Sequence, residues 1–203
     1  MKGRVLVIAG SDSGGGAGIQ ADIKTLTALD AFAMTAITAL TVQNTRGVFG
    51  IHNVPPLFVA EQMKSVLRDI GADCIKIGML HSSEIIEIVC KTLSEEAPEI
   101  PIVVDPVMLA KGGASLLEKD AVESLKEILL PRALVLTPNL PEAEALAGVV
   151  APSVEEAMTL AQALLSFGPE AILLKGGHRE GDEVTDLLFG RNQVMEVYKS
   201  PRI

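Results

Sequence analysis

Gly10-Ser-Asp-Ser-Gly-Gly-Gly-Ala-Gly-Ile-Gln-Ala-Asp-Ile-Lys-Thr25 is the stretch on which the fold of this chain turns. The apolar run Val5-Leu-Val-Ile-Ala9 precedes it and reads as a buried strand. From Gly18 to Leu29, the residues Ile19, Ile23, Leu26 and Leu29 recur at helical spacing. A strand that breaks into glycines before a helix leaves backbone N–H groups unpaired in a bend that a ligand can approach closely. Neither standard phosphate loop fits. A P-loop would end in Gly-Lys-Ser/Thr, which is not found here. A dinucleotide fingerprint starting at Gly14 and Gly16 needs glycine where Ile19 stands, and the next strand ends in Leu40 and Thr41 without a ribose-binding acid. A surface turn has the same glycine content. The carboxylate of Asp22, one helical turn beyond the glycines, favours a ligand mouth.

Outward from this stretch, the 203 residues predict one domain, residues 1–203. With 3% aromatics and no Trp, the core must be built from Ile, Leu, Val, Ala and Met. The formal charge of −9 argues against nucleic acid or an anionic membrane surface as partner. Cys74 and Cys90 are too far apart for a metal knuckle and read as reduced core thiols of a cytoplasmic protein. No apolar run approaches the ~20 residues of a membrane span, and the N-terminus enters a strand without a signal peptide pattern.

Strands are predicted at Thr35–Val42, Cys74–Gly78, Ile102–Asp105, Ala133–Thr137 and Ala171–Lys175, and helices over Pro55–Ile70, after Ser82, over Leu117–Leu130, from Asn139 and from Ser153. Thr185–Phe189 and Val194–Lys199 flank Gly190-Arg-Asn192 as a hairpin. Strand and helix alternate, and the strands are continuously apolar. The fold class is therefore α/β, a mostly parallel sheet with helices on both faces. Ligands of such sheets lie beyond the carboxyl ends of the strands. Those ends read Gly10-Ser-Asp, Gln43-Asn, Gly78-Met-Leu, Asp105-Pro-Val-Met, Thr137-Pro-Asn and Lys175-Gly-Gly-His.

Five motifs in this order, Ala9 to Asp22, Thr41-Val-Gln-Asn-Thr45, Lys76-Ile-Gly-Met-Leu80, Asp105-Pro-Val-Met108 and Thr137-Pro-Asn-Leu-Pro-Glu-Ala-Glu144, resemble the hydroxymethylpyrimidine and phosphomethylpyrimidine kinases of thiamine synthesis. The resemblance runs the whole length of the chain and implies a three-layer ribokinase-like fold. It also implies ATP and Mg²⁺ as cofactors and a pyrimidine held by Gly10, Ala17, Asp22, Gln43, Met79 and Val107. Gln43 carries both a donor and an acceptor for an aminopyrimidine edge, although without the resemblance an ordinary turn residue is the favoured reading. Met79 and Val107 are suited to sandwich a flat ring. On the nucleotide side the resemblance implies Asn139, Lys175 and Gly177, with Asp105 and Glu142 near the metal and Lys175 as the catalytic cation. Each has a plainer reading. Asn139-x-x-Glu142 is a capping box, Asp105 before Pro106 is a turn initiator, and Lys175 is a strand-end lysine with a snorkelling stem. His178, beside glycines, is not expected to be catalytic.

In this family the chain continues past Pro201-Arg-Ile203 into a Gly-Thr-Gly-Cys motif that opens a helix, and neither Cys74 nor Cys90 matches that cysteine. The expectation is a fragment of a longer enzyme, or else a truncated form that binds without turnover. On that expectation, residues 1–203 bind the pyrimidine, bind ATP poorly, transfer negligibly and leave apolar sheet surface uncovered. The rivals are a pyridoxal kinase of the same fold and a non-catalytic pyrimidine-binding regulatory domain. Val48-Phe-Gly-Ile51 suggests the contact of a homodimer.

Overall fold

A computed structural model describes residues 1–108, 116–118, 120–150, 154–177, 181–190 and 193–202. The chain runs β1 (Arg4–Asp12), α1 (Gly18–Ala28), β2 (Phe32–Asn44), β3 (Gly47–Asn53), α2 (Pro56–Asp69), β4 (Cys74–Ile77), α3 (Ser83–Glu96) and β5 (Ile102–Val104). It continues as α4 (Ala121–Ser124), β6 (Val135–Leu136), α5 (Leu140–Ala147), α6 (Val154–Leu165), β7 (Ala171–Leu174), β8 (Glu183–Gly190) and β9 (Gln193–Pro201). Among the described residues, nine strands form one sheet in the order β3-β2-β1-β4-β5-β6-β7-β8-β9. The pairings from β2 through β7 are parallel, whereas β3, β8 and β9 add on antiparallel. The expected α/β sheet and its C-terminal hairpin are therefore both present.

Alternation along β1 sends side chains to opposite faces. Leu6 and Ile8 join the main core beneath α2, α3, α5 and α6, with Met63, Ile86, Leu136, Leu146, Leu164 and Ile172. Val7 and Ala9 face the other way and pack with Ile19 and Leu26 of α1. Only Ile19 of the four predicted α1 positions is fully buried, and Ile23 and Leu29 lie exposed. On the α1 side of the sheet, Val103, Val135, Ala171 and Leu173 are half-buried.

Two elements differ from the sequence reading. Gly47–Asn53, within which the sequence suggests only a homodimer contact at Val48-Phe-Gly-Ile51, is strand β3, paired with β2 from Ala39 to Asn44 through a tight reversal at Thr45-Arg46. The expected helix over Leu117–Leu130 begins at Ala121 and continues as a π turn over Leu125–Leu129 and a 3₁₀ turn over Leu130–Arg132. Its first residues are spent on tertiary bonds. Leu116 and Leu117 donate their N–H groups to the Met108 carbonyl, and Glu118 donates to that of His81. Pro131 then lacks the N–H that a continuing α-helix requires. The cap expected at Ser153 and the loop histidine His178 lie outside the described residues.

Candidate active site

Because β1, β2, β4, β5, β6 and β7 run parallel, their carboxyl ends open on one side of the sheet. A cavity of about 230 Å³ lies there. Gly10, Ala17, Asp22, Met79 and Val107 all line it, together with Thr41, Lys76, Asp105 and Leu116. Five of the six residues expected to hold the pyrimidine thus converge. Met79, Ala39 and Leu116 form a small buried apolar cluster with Val107 packed against it, which gives the cavity its greasy wall. Gly10 is closely overlaid, since a Cβ there would sit 3.1 Å from the Met79 sulfur.

Gln43, the sixth, lines an adjoining cavity of about 240 Å³ with Gly14, Gly16, Asn44, Thr45 and Val48. Asp12 and Ala17 wall both cavities. Thr41 Oγ1 lies 2.9 Å from the Ser11 carbonyl and 3.2 Å from Gln43 Oε1, so this hydroxyl links the two chambers.

Asp22 does not stand alone at the mouth. Its Oδ2 accepts from Lys76 Nζ at 2.8 Å, both side chains being mostly buried. A lysine in the apolar strand Cys74-Ile-Lys-Ile77 needs such a partner. Gly78 leaves room for it, because a Cβ there would lie 3.0 Å from Nζ.

The expected nucleotide-side residues form a second group across Asp105. Lys175 Nζ donates to Asp105 Oδ1 at 2.8 Å, and the Thr137 hydroxyl lies 3.4 Å from the same oxygen. Asn139 and Lys175 are bridged through their backbones. The capping box is complete: Glu142 N–H donates to Asn139 Oδ1 and Asn139 N–H donates to Glu142 Oε2, both at 2.9 Å. Glu142 is only 5% exposed. Burial raises its carboxyl above the usual range, opposed by hydrogen bonds to the Asn139 and Met108 backbones and by the charge of Lys175. Gly177 lines neither cavity, and its carbonyl accepts from Arg202 Nη1 at 2.9 Å. Among the described residues no three His, Cys, Asp or Glu side chains group as a metal cage. Asp105, just after β5, and Glu142, in the first turn of α5, instead offer two hard carboxylates, a donor set that suits a hydrated Mg²⁺ shared with phosphates.

Two residues that the sequence reading passed over belong to the site. Lys76 holds Asp22. Asp12, 5% exposed, accepts three loop N–H groups. An Asp placed before a glycine run is a known turn former that bonds backbone N–H groups ahead of it. That signal was present in Gly10-Ser-Asp12.

Residues 12–203 match the family model described as phosphomethylpyrimidine kinase. The chain belongs to this family. It is 50% identical over 202 residues to the thiamine biosynthesis bifunctional protein ThiED of Geobacter sulfurreducens, covering all of this chain and 41% of that protein. It is 47% identical over 195 residues to the hydroxymethylpyrimidine/phosphomethylpyrimidine kinase of Bacillus subtilis, covering 96% of this chain and 72% of that one. Among solved structures, the phosphomethylpyrimidine kinase of Clostridium difficile superposes with a TM-score of 0.88 at 43% identity, over 97% of this chain and 84% of that one. The pyridoxal kinase of Staphylococcus aureus in complex with AMP-PCP and pyridoxal gives 0.83 at 33%, over 94% and 69%. The ribokinase-like α/β architecture expected of a phosphomethylpyrimidine kinase is therefore the observed one.

Proposed function

We propose that this protein transfers the γ-phosphoryl group of ATP to the hydroxymethyl group of 4-amino-5-hydroxymethyl-2-methylpyrimidine, and then to the monophosphate so formed, in thiamine biosynthesis. The observation that carries this reading is the convergence of Gly10, Ala17, Asp22, Met79 and Val107 on one cavity that reaches Asp105 and, through it, Lys175.

In this reading the ring lies between Met79 and Val107, and Gln43 meets the aminopyrimidine edge with its donor and acceptor. Lys76 keeps Asp22 aimed into the cavity. The hydroxymethyl oxygen attacks the γ-phosphorus as the bond to the ADP oxygen breaks, and the hydroxyl proton passes to water. Such transfer depends mainly on positioned positive charge. Lys175 supplies one such charge, exchanging Asp105 for phosphoryl oxygens as they approach. Mg²⁺, held through water by Asp105 and Glu142, would neutralise phosphate charge. Asn139 and Gly177 flank the nucleotide.

The same reading makes the protein a cytoplasmic homodimer. Leu40, Val42 and Phe49 stand 47%, 65% and 65% exposed on the β2–β3 arm, an apolar patch suited to a second copy. No helix among the described residues is long and apolar enough to cross a membrane. Calorimetry with hydroxymethylpyrimidine and pyridoxal, alongside phosphoryl transfer from Mg·ATP to each, tests the assignment. Tighter binding of the pyrimidine is expected. Preference for pyridoxal in both assays would replace it with the vitamin B6 reading.

A further inference from the structure

The glycine loop is already occupied, by the chain itself. Gly14 N–H donates to Asp12 Oδ1 at 2.7 Å, while Gly16 and Ala17 donate to Oδ2 at 2.9 and 2.8 Å. Gly15 N–H closes the turn on the Asp12 carbonyl at 3.0 Å. Asp12 is fixed from behind, its own N–H donating to Gln20 Oε1 at 2.8 Å, and the Gln20 amide donates to Ser11 Oγ at 2.8 Å. Convergent backbone N–H groups in a turn make a nest for an anion. Here the anion is a side chain, buried although Gly14, Gly16 and Ala17 around it are exposed.

The loop in turn holds the ring-reading side of the site. Ser13 Oγ donates to the Gln43 carbonyl at 2.8 Å and accepts from the Gln43 N–H at 2.9 Å. Asp12, the loop and Gln43 are therefore one hydrogen-bonded unit that walls both cavities.

We propose that Asp12 is a positioning residue that acts as a resident anion: it locks the glycine loop against Gln43 and denies the N–H groups of residues 14, 16 and 17 to any phosphate. A phosphorylated substrate must then point its phosphate away from this loop, toward Lys175. This rests on the reading that the cavities take a pyrimidine.

Amide hydrogen exchange tests the lock in the unaltered protein. Gly14, Gly16 and Ala17, though exposed, should exchange slowly; exchange at free-peptide rates overturns the proposal. In Asp12→Ala, affinity for hydroxymethylpyrimidine should fall at least about tenfold, as three N–H groups lose their acceptor. Added acetate should restore part of it, while leaving the parent unchanged. Inorganic phosphate should raise the unfolding midpoint of Asp12→Ala more than that of the parent. An affinity within twofold of the parent, or a loss that acetate leaves untouched, counts against the role. Should Asp12→Ala fail to fold, Asp12→Asn serves instead. Its shape is kept, but its NH₂ group faces an N–H donor, so a clear loss of affinity is expected and parental affinity refutes the proposal. If the parent itself binds no pyrimidine, the functional reading fails, whereas slow exchange and the anion response still decide the fate of the lock.

Discussion

Gly18 is where the loop, β1 and α1 meet, and replacing it should disturb all three. Its φ is +56°, in the left-handed region, and a Cβ built there would lie 2.4 Å from the Gly10 carbonyl oxygen and 3.2 Å from the Asp12 nitrogen. A non-glycine residue in that conformation costs roughly 1–2 kcal/mol. Forcing a methyl group against backbone that cannot swing aside adds about 1–3 kcal/mol. Gly18→Ala should therefore lose roughly 2–5 kcal/mol, which for a domain of this size lowers the thermal midpoint on the order of 10 °C. The backbone it pushes on belongs to Gly10 and Asp12, which line the cavity expected to hold the ring, so pyrimidine affinity should drop as well. Gly177→Ala is the control, since a Cβ there meets nothing within 4 Å; its stability should stay within about 0.5 kcal/mol of the parent. Calorimetric melts of both variants decide the matter. An unchanged midpoint for Gly18→Ala would mean that α1 does not press on β1 as described.

Four further outcomes are expected. Gln43→Ala should weaken hydroxymethylpyrimidine binding by about 1–3 kcal/mol through an unpaired partner and leave nucleotide affinity in place; equal losses for both ligands in calorimetry would make Gln43 merely structural. Glu142→Gln keeps a capping box but removes the charge, so Mg·ATP should bind more weakly while the fold persists, and parental Mg·ATP binding would leave Glu142 only its cap. Because burial holds the folded Glu142 pKa above its unfolded value, its contribution to stability is fully present below about pH 4.5 and is lost as pH rises through the folded value. The parent should therefore lose stability relative to Glu142→Gln from acid to neutral pH, and a constant difference across denaturation curves would contradict the burial effect. Burial pushes the Cys90 thiol up to about 11, leaving roughly one part in a thousand as thiolate at pH 8; rapid titration of both thiols in the native protein would contradict this.

The parallel core of the sheet was legible because β1, β4, β5 and β7 are short apolar runs that end in punctuating residues, Gly78, Asp105 and Lys175 among them. The site's location followed from that alone. Strand β3 was obscured because Val48-Phe-Gly-Ile51 pairs only with β2, at the sheet edge, and Phe49 faces solvent. The delayed start of α4 depends on Met108 and His81, whose carbonyls take the N–H groups of residues 116–118, a contact between distant segments that local periodicity does not encode. Lys76 and Asp22 are 54 residues apart, and their pairing appears only once β4 and α1 are neighbours. Conversely, Asn139-x-x-Glu142 was readable as a cap from four residues, because a capping box is a local device. Gln43 was expected near the ring only from the family resemblance, and its separation from Met79 and Val107 into an adjoining chamber depends on where Ala17 and Asp12 stand.

A competitive titration of the 203-residue chain with hydroxymethylpyrimidine and pyridoxal, followed by NMR of the Met79 methyl and the Gln43 side-chain amide, addresses the pyrimidine assignment most directly. Both signals should shift with the pyrimidine at concentrations where pyridoxal leaves them unmoved. Shifts driven by pyridoxal first, or a pyrimidine that binds without moving either signal, would contradict the assignment of these cavities.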